Sequence, residues 1–170
     1  MSRLFFAVWP DPECARELAA LALRLGAESQ GKAVPAGKIH LTLAFLGATD
    51  EAARGKAVEA ADEARGPKVD AVIDRLGSFR RARVAWAGMS RPPQPLLDLQ
   101  AALEERLRGR GFELDTRPFT PHVTLARRTA RPIAAASIAP IRWRADALTL
   151  VRSETGTGRY VVEQRWGLGI

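Results

Sequence analysis

A chain of 170 residues with 46% apolar side chains is long enough to bury one core and short for two, so a single domain over 1–170 is expected. Its net charge of +7, from 26 basic and 19 acidic side chains, disfavours a basic partner and suits a polyanion such as RNA. One cysteine, Cys14, excludes an internal disulfide, and the apolar run 4–9 is too short for a signal-peptide core or a membrane span, which together predict a cytoplasmic protein with no membrane partner.

The run 4–9 reads as a buried strand. Asp11, Pro12 and Glu13 then supply an N-cap, a proline at the first helical position and an early acid, and Cys14, Leu18, Leu21 and Leu25 fall on one helical face, with Gly26 as the expected stop. After a Gly/Pro-punctuated stretch, 38–46 reads as a strand that Gly47 ends. Asp50 and Glu51 open an alanine-rich helix to about Arg65, which Gly66-Pro67 breaks. Residues 68–78 and 84–89 alternate as strands around Arg80-Arg81-Ala82-Arg83, a cluster that reads as a solvated turn and could also grip phosphates. Leu96, Leu99, Leu103 and Leu107 mark an amphipathic helix over 95–109. A second polar-striped strand follows over 119–126, then a long strand over 141–153, a turn at Thr155-Gly156-Thr157-Gly158 and a return over 160–166. This order implies an α+β fold of two similar halves: two pseudo-twofold-related lobes, each an antiparallel-rich sheet with helices on its outer face, enclosing a central cleft.

Both histidines sit in the same pentapeptide, His-x-Thr-Leu-Ala, as His40-Leu41-Thr42-Leu43-Ala44 and His122-Val123-Thr124-Leu125-Ala126. A Thr at +2 and a Leu at +3 of both histidines would arise by chance in roughly 1 of 30,000 such sequences, so the echo carries information. Strand alternation sends His40 and Thr42 to one face and Leu41 and Leu43 to the other, and His122 and Thr124 follow the same pattern. A lone histidine on an apolar strand is usually structural. Two imidazoles and two hydroxyls facing one groove suit proton transfer on either side of a phosphorus, with the hydroxyls donating to its other oxygens.

Superposing the motifs brings Phe45 and Arg127 to one position, five residues after each histidine, as a candidate base-stacking ring and phosphate clamp, although Phe45 reads first as a core residue. The odd offset points away from the histidine face, so either the strand bends after Leu125 or Arg128 takes the phosphate. Two distant histidines, one cysteine and no Gly-Lys-Ser/Thr loop leave no evident metal or cofactor site.

The paired His-x-Thr-x motifs, the opening Arg3-Leu4-Phe5-Phe6-Ala7, the run from His40 to Gly47 and the closing hairpin from Ser153 to Tyr160 resemble the two-histidine phosphoesterases, and among them the RNA 2′,3′-cyclic phosphodiesterases, also known as 2′-5′ RNA ligases. That resemblance implies the bilobal fold and metal-independent hydrolysis of RNA 2′,3′-cyclic phosphate ends to 2′-phosphomonoesters. It implies His40 as proton donor and His122 as acceptor, and it favours Arg127 for the phosphate. The implied partner is an RNA or oligonucleotide with a cyclic phosphate end, tRNA halves among the candidates, acted on by a monomer. Reversible 2′-5′ ligation and a small cyclic nucleotide are alternative uses of the same site. A catalytically silent RNA-binding module is the non-enzymatic alternative.

Overall fold

The computed structural model describes residues 2–169. In chain order its elements are β1 (Ser2–Val8), α1 (Pro12–Glu28), β2 (Lys32–Ala33), a single 3-10 turn (Ala36–Lys38), β3 (Leu41–Thr49), α2 (Glu51–Glu63), β4 (Val69–Phe79), β5 (Val84–Gly88), α3 (Gln94–Gly109), β6 (His122–Arg127), β7 (Ala136–Ala145), β8 (Ala147–Ser153) and β9 (Tyr160–Gly167). All nine strands join one antiparallel, unclosed sheet in the order β7-β4-β5-β6-β3-β1-β8-β9, with β2 added to β6.

That order reads the same outward from its middle. The motif strands β3 and β6 meet at the centre through the pair Leu41↔Val123, and each heads a wing of four strands. β1, α1 and β3 correspond to β5, α3 and β6, so the expected pseudo-twofold is present. The wings are not the sequence halves, however. β4, from the first half, joins the His122 wing, while β8 and β9, from the end of the chain, complete the His40 wing. The connecting helices also cross: α1 leaves β1 and packs on β6 and β7, whereas α3 leaves β5 and packs on β3 and α2.

Alternation in β1 divides the sheet into a covered and an open face. Leu4, Phe6 and Val8 enter the main core under the helices, while Phe5 and Ala7 join Val151, Trp9 and Tyr160 in a small cluster on the other face. α1 is held by the face Cys14, Leu18, Leu21 and Leu25, as its spacing predicts. Gly26 does not stop it. The helix runs on to Glu28, and the glycine lets β2 approach closely, since a Cβ there would lie 3.0 Å from the Ala33 nitrogen.

β3 likewise runs past Gly47 to Thr49. The strand expected over 141–153 is two strands, β7 and β8, separated at Asp146 and lying on opposite wings. β7 begins earlier than its apolar pattern suggests, because it is an edge strand that accepts Pro140 at an irregularity in its pairing with β4. Among the described residues no helix is long and apolar enough to cross a membrane.

Candidate active site

The seam between β3 and β6 builds the site. Leu41 and Val123 pair across it and are fully buried, so their neighbours face the opposite, open side. Antiparallel register sets His40 beside Thr124 and Thr42 beside His122, a quartet from two strands joined at the centre of the sheet. The repeated sequence thus becomes a repeated geometry about one point.

Each ring is oriented by the same local device. The His40 Nδ1–H donates to the Lys38 carbonyl at 2.7 Å, and the His122 Nδ1–H donates to the Thr120 carbonyl at 2.8 Å. A carbonyl only accepts, so both rings carry their fixed proton on Nδ1 and keep Nε2 for exchange. His40 Nε2 lies 3.0 Å from Thr42 Oγ1, which donates to it when the ring is neutral. Lys38 also spans to the closing hairpin, donating to the Gly158 carbonyl with its ammonium 4.8 Å from the Tyr160 ring centroid.

The two rings differ in their surroundings. His40 is only 8% exposed, stacked on Phe5 at 5.0 Å and flanked by Trp9 at 5.1 Å and Tyr160 at 5.6 Å between centroids. Trp9 is itself fixed, its Nε1–H donating to Thr149 Oγ1 at 2.8 Å. His122 is half-buried and meets the edge of Phe79 at 5.0 Å. The His40 pKa is lowered from 6.5 to about 4, chiefly by burial and in smaller part by the charges of Arg127 and His122, against the opposing hydrogen bond to Lys38. Two groups from another strand thus act on His40 through space, so Arg127 and His122 belong to its electrostatic neighbourhood.

Bulges resolve the odd offset of Arg127 and Phe45. On β6 the partners step from Thr124↔Trp86 to Ala126↔Ala85, leaving Leu125 as an extra residue; on β3 they step from Thr42↔Ala7 to Ala44↔Phe6, leaving Leu43 extra. The same position of each motif carries the bulge. Leu125 and Ala126 are consequently buried in succession, and Arg127 returns exposed toward the histidine side. Phe45 is not a core residue: it is 68% exposed and sits 5.9 Å from Phe5, the ring on which His40 stacks. Arg128 lies beyond the end of β6 in a left-handed turn, with φ of 52°, and is not part of this cluster.

Sequence reasoning missed the aromatic walls formed by Phe5, Trp9, Tyr160, Phe79 and Trp86. The signal for Phe5 was the alternation of β1, which opposes it to Leu4 and Phe6. Trp86 pairs with both Thr124 and Gly77, and its ring covers two glycines: a Cβ at Gly77 would lie 2.3 Å from Trp86 Cζ2, and one at Gly88 would lie 2.9 Å from Cζ3. Gly77→Ala is expected to dislodge the indole and lower stability by about 1–3 kcal/mol. Chemical denaturation checks this, and an unchanged midpoint would mean that the indole does not rest there. Among the described residues, no three His, Cys, Asp or Glu side chains converge as a metal cage would require.

The profile of the 2′-5′ RNA ligase superfamily matches residues 9–157. The chain is 34% identical over 173 aligned positions to an RNA 2′,3′-cyclic phosphodiesterase of Escherichia coli strain K12, covering 98% of this chain and 96% of that protein. Its fold superposes on the crystal structure of Escherichia coli LigT in apo form with a TM-score of 0.86 at 30% identity, over 99% of this chain and 98% of that one. It is similarly close to LigT complexed with 3′-AMP, with a TM-score of 0.84 and 31% identity over 99% of both chains.

Proposed function

The chain belongs to the 2′-5′ RNA ligase superfamily, and from that premise we propose that it opens the 2′,3′-cyclic phosphate ends of RNA to 2′-phosphomonoesters. The observation that carries the reading is the β3–β6 seam, which sets two imidazoles and two threonine hydroxyls about one point on the open face. In the proposed step a water oxygen bonds to phosphorus while the bond from phosphorus to O3′ breaks. His122 Nε2 takes the proton from the water and His40 Nε2 gives one to O3′, so protons and charge balance across the step. Thr42 and Thr124 donate to the oxygens that do not change partners. A 5′-hydroxyl in place of water would give a 2′-5′ linkage through the same groups.

His40 must carry a proton to act as the acid, and in the protein by itself its pKa is about 4. An anionic phosphodiester against the ring opposes the influence of Arg127 and His122 and raises that value, so the substrate itself brings the ring to its protonated form. The low value also favours a second reading, with the roles exchanged and neutral His40 acting as the base. Coupled rings share their macroscopic titrations, so a bell-shaped pH profile fits both assignments.

The test is incubation of purified protein with an oligonucleotide ending in a 2′,3′-cyclic phosphate. Formation of a 2′-phosphate in the presence of EDTA is expected, since both proton transfers come from side chains. Binding without turnover at any pH would leave an RNA-binding module instead. Arg127→Ala is expected to reduce kcat/KM for a 2′,3′-cyclic mononucleotide about 10- to 100-fold through loss of a charged hydrogen bond to phosphate. Arg128→Ala should leave that rate unchanged; equal losses in the two variants would show that the bulge does not select Arg127.

A further inference from the structure

Three loops meet at the far end of β5, β6 and β2, beyond Arg127, and the backbone knits them together. Residues 80–83 close the β4–β5 hairpin, residues 128–131 leave β6, and residues 28–32 lead from α1 into β2. The Thr129 N–H donates to the Arg83 carbonyl at 3.1 Å, and Arg83 Nε returns a bond to the Thr129 carbonyl at 3.0 Å. The Ser29 carbonyl accepts from the N–H groups of both Ala130 and Arg131, at 2.9 and 3.1 Å. Lys32 pairs directly with Arg127 across the β2–β6 ladder. These loops are therefore one rigid rim.

The rim is basic and open. Arg80, Arg81 and Arg83 come from the first loop, Arg128 and Arg131 from the second and Lys32 from the third, all exposed. Among the described residues none of them is salt-bridged to a carboxylate, although Arg24, Arg106, Arg110, Arg142, Arg152 and Arg165 elsewhere on the surface are. Each loop also holds one residue in the left-handed region: Gln30 at φ 53°, Arg83 at 56° and Arg128 at 52°, the full set of such non-glycine residues among those described. Glycine is the low-strain choice at these positions, and two of the three carry arginine instead.

We infer that this rim is a track for the RNA chain upstream of the reacting end. Arg127 takes the terminal phosphate, and the phosphates of the preceding nucleotides run over the three loops. The inference rests on the proposed activity for the direction of the strand. It adds that the protein selects a polynucleotide over a small cyclic nucleotide by charge held outside the catalytic quartet. Solvent-facing guanidinium groups without a carboxylate partner, fixed on rigid backbone, suit a phosphate backbone without base readout, as they bind charge and carry no sequence pattern.

The test uses the intact protein and the triple variant Lys32→Gln/Arg80→Gln/Arg81→Gln, whose positions are exposed and outside the catalytic quartet. Fluorescence anisotropy with single-stranded RNA of roughly eight nucleotides reads binding independently of turnover. The triple variant should flatten the slope of log affinity against log salt by about 2, because each phosphate left without its cation takes about 0.7 off that slope. Its kcat/KM should fall about tenfold or more on a cyclic-phosphate oligonucleotide, mainly through KM, and stay unchanged on a 2′,3′-cyclic mononucleotide. An unchanged salt slope, or equal losses on both substrates, would overturn the track, as would tighter capture by anionic vesicles than by RNA. If neither substrate turns over but the slope still flattens, the track stands and the hydrolytic reading fails.

Discussion

Replacing His122 with alanine is expected to slow opening of an RNA 2′,3′-cyclic phosphate by 10²- to 10⁴-fold, and His40→Ala by a similar factor, the usual range for one proton-transfer group. Neither loss should come from unfolding, because the packing that holds the seam together lies on the other face, in Leu41, Val123 and Leu125. The two variants become distinguishable when the 3′-oxygen of the cyclic phosphate is replaced with sulfur. A thiolate leaves without protonation, so the variant lacking the acid recovers most of its rate and the variant lacking the base does not. Recovery in His40→Ala supports His40 as donor. Recovery in His122→Ala exchanges the roles, and recovery in neither removes leaving-group protonation from the mechanism.

Acid should destabilise the protein through His40. Its pKa is about 4 in the folded chain against 6.5 for the ordinary side chain, so between those values the unfolded state binds the extra proton. Stability from this group is therefore complete above pH 6.5 and is lost as pH falls through 4. The difference amounts to roughly 3 kcal/mol at about 1.4 kcal/mol for each pH unit. His40→Gln keeps a polar side chain and does not titrate, so its denaturation midpoint should fall less than the wild type's between pH 7 and pH 4. Parallel curves for the two proteins would mean that the buried ring is not held neutral. Asp115, whose carboxyl is held down to about 2 by its hydrogen bonds from Arg117, titrates below this window and is shared by both proteins.

Much of the quartet was legible in the sequence because it depends on rules local to a strand. Two copies of His-x-Thr-Leu-Ala fix which residues share a face, and an apolar residue between each histidine and threonine fixes which face is buried. What lay outside those rules needed the tertiary pairing. Alternation alone turns Arg127 and Phe45 away from the histidines, and only the extra residues Leu43 and Leu125, defined by their partners on β1 and β5, turn them back.

The assignment of strands to wings failed for a similar reason. Nothing local to Asp146 announces that the chain passes from one edge of the sheet to the other wing, since the segments on either side both carry apolar residues. The aromatic wall around His40 gathers Phe5, Trp9 and Tyr160 from distant parts of the chain, and each alone reads as ordinary packing. Nothing in the sequence marks Gly77 and Gly88 as special, and they become necessary only once Trp86 lies across them.

The claim on which the account depends is that both imidazoles address a single phosphate through Nε2. Nitrogen-15 NMR of the two histidine rings during titration with a nucleoside 2′-phosphate tests it directly. The Nε2 resonances of His40 and His122 are expected to shift together with one saturation curve at one ligand per chain, while both Nδ1 atoms stay protonated and bonded to the carbonyls of Lys38 and Thr120. A shift confined to one ring, or two independent saturation curves, would contradict it.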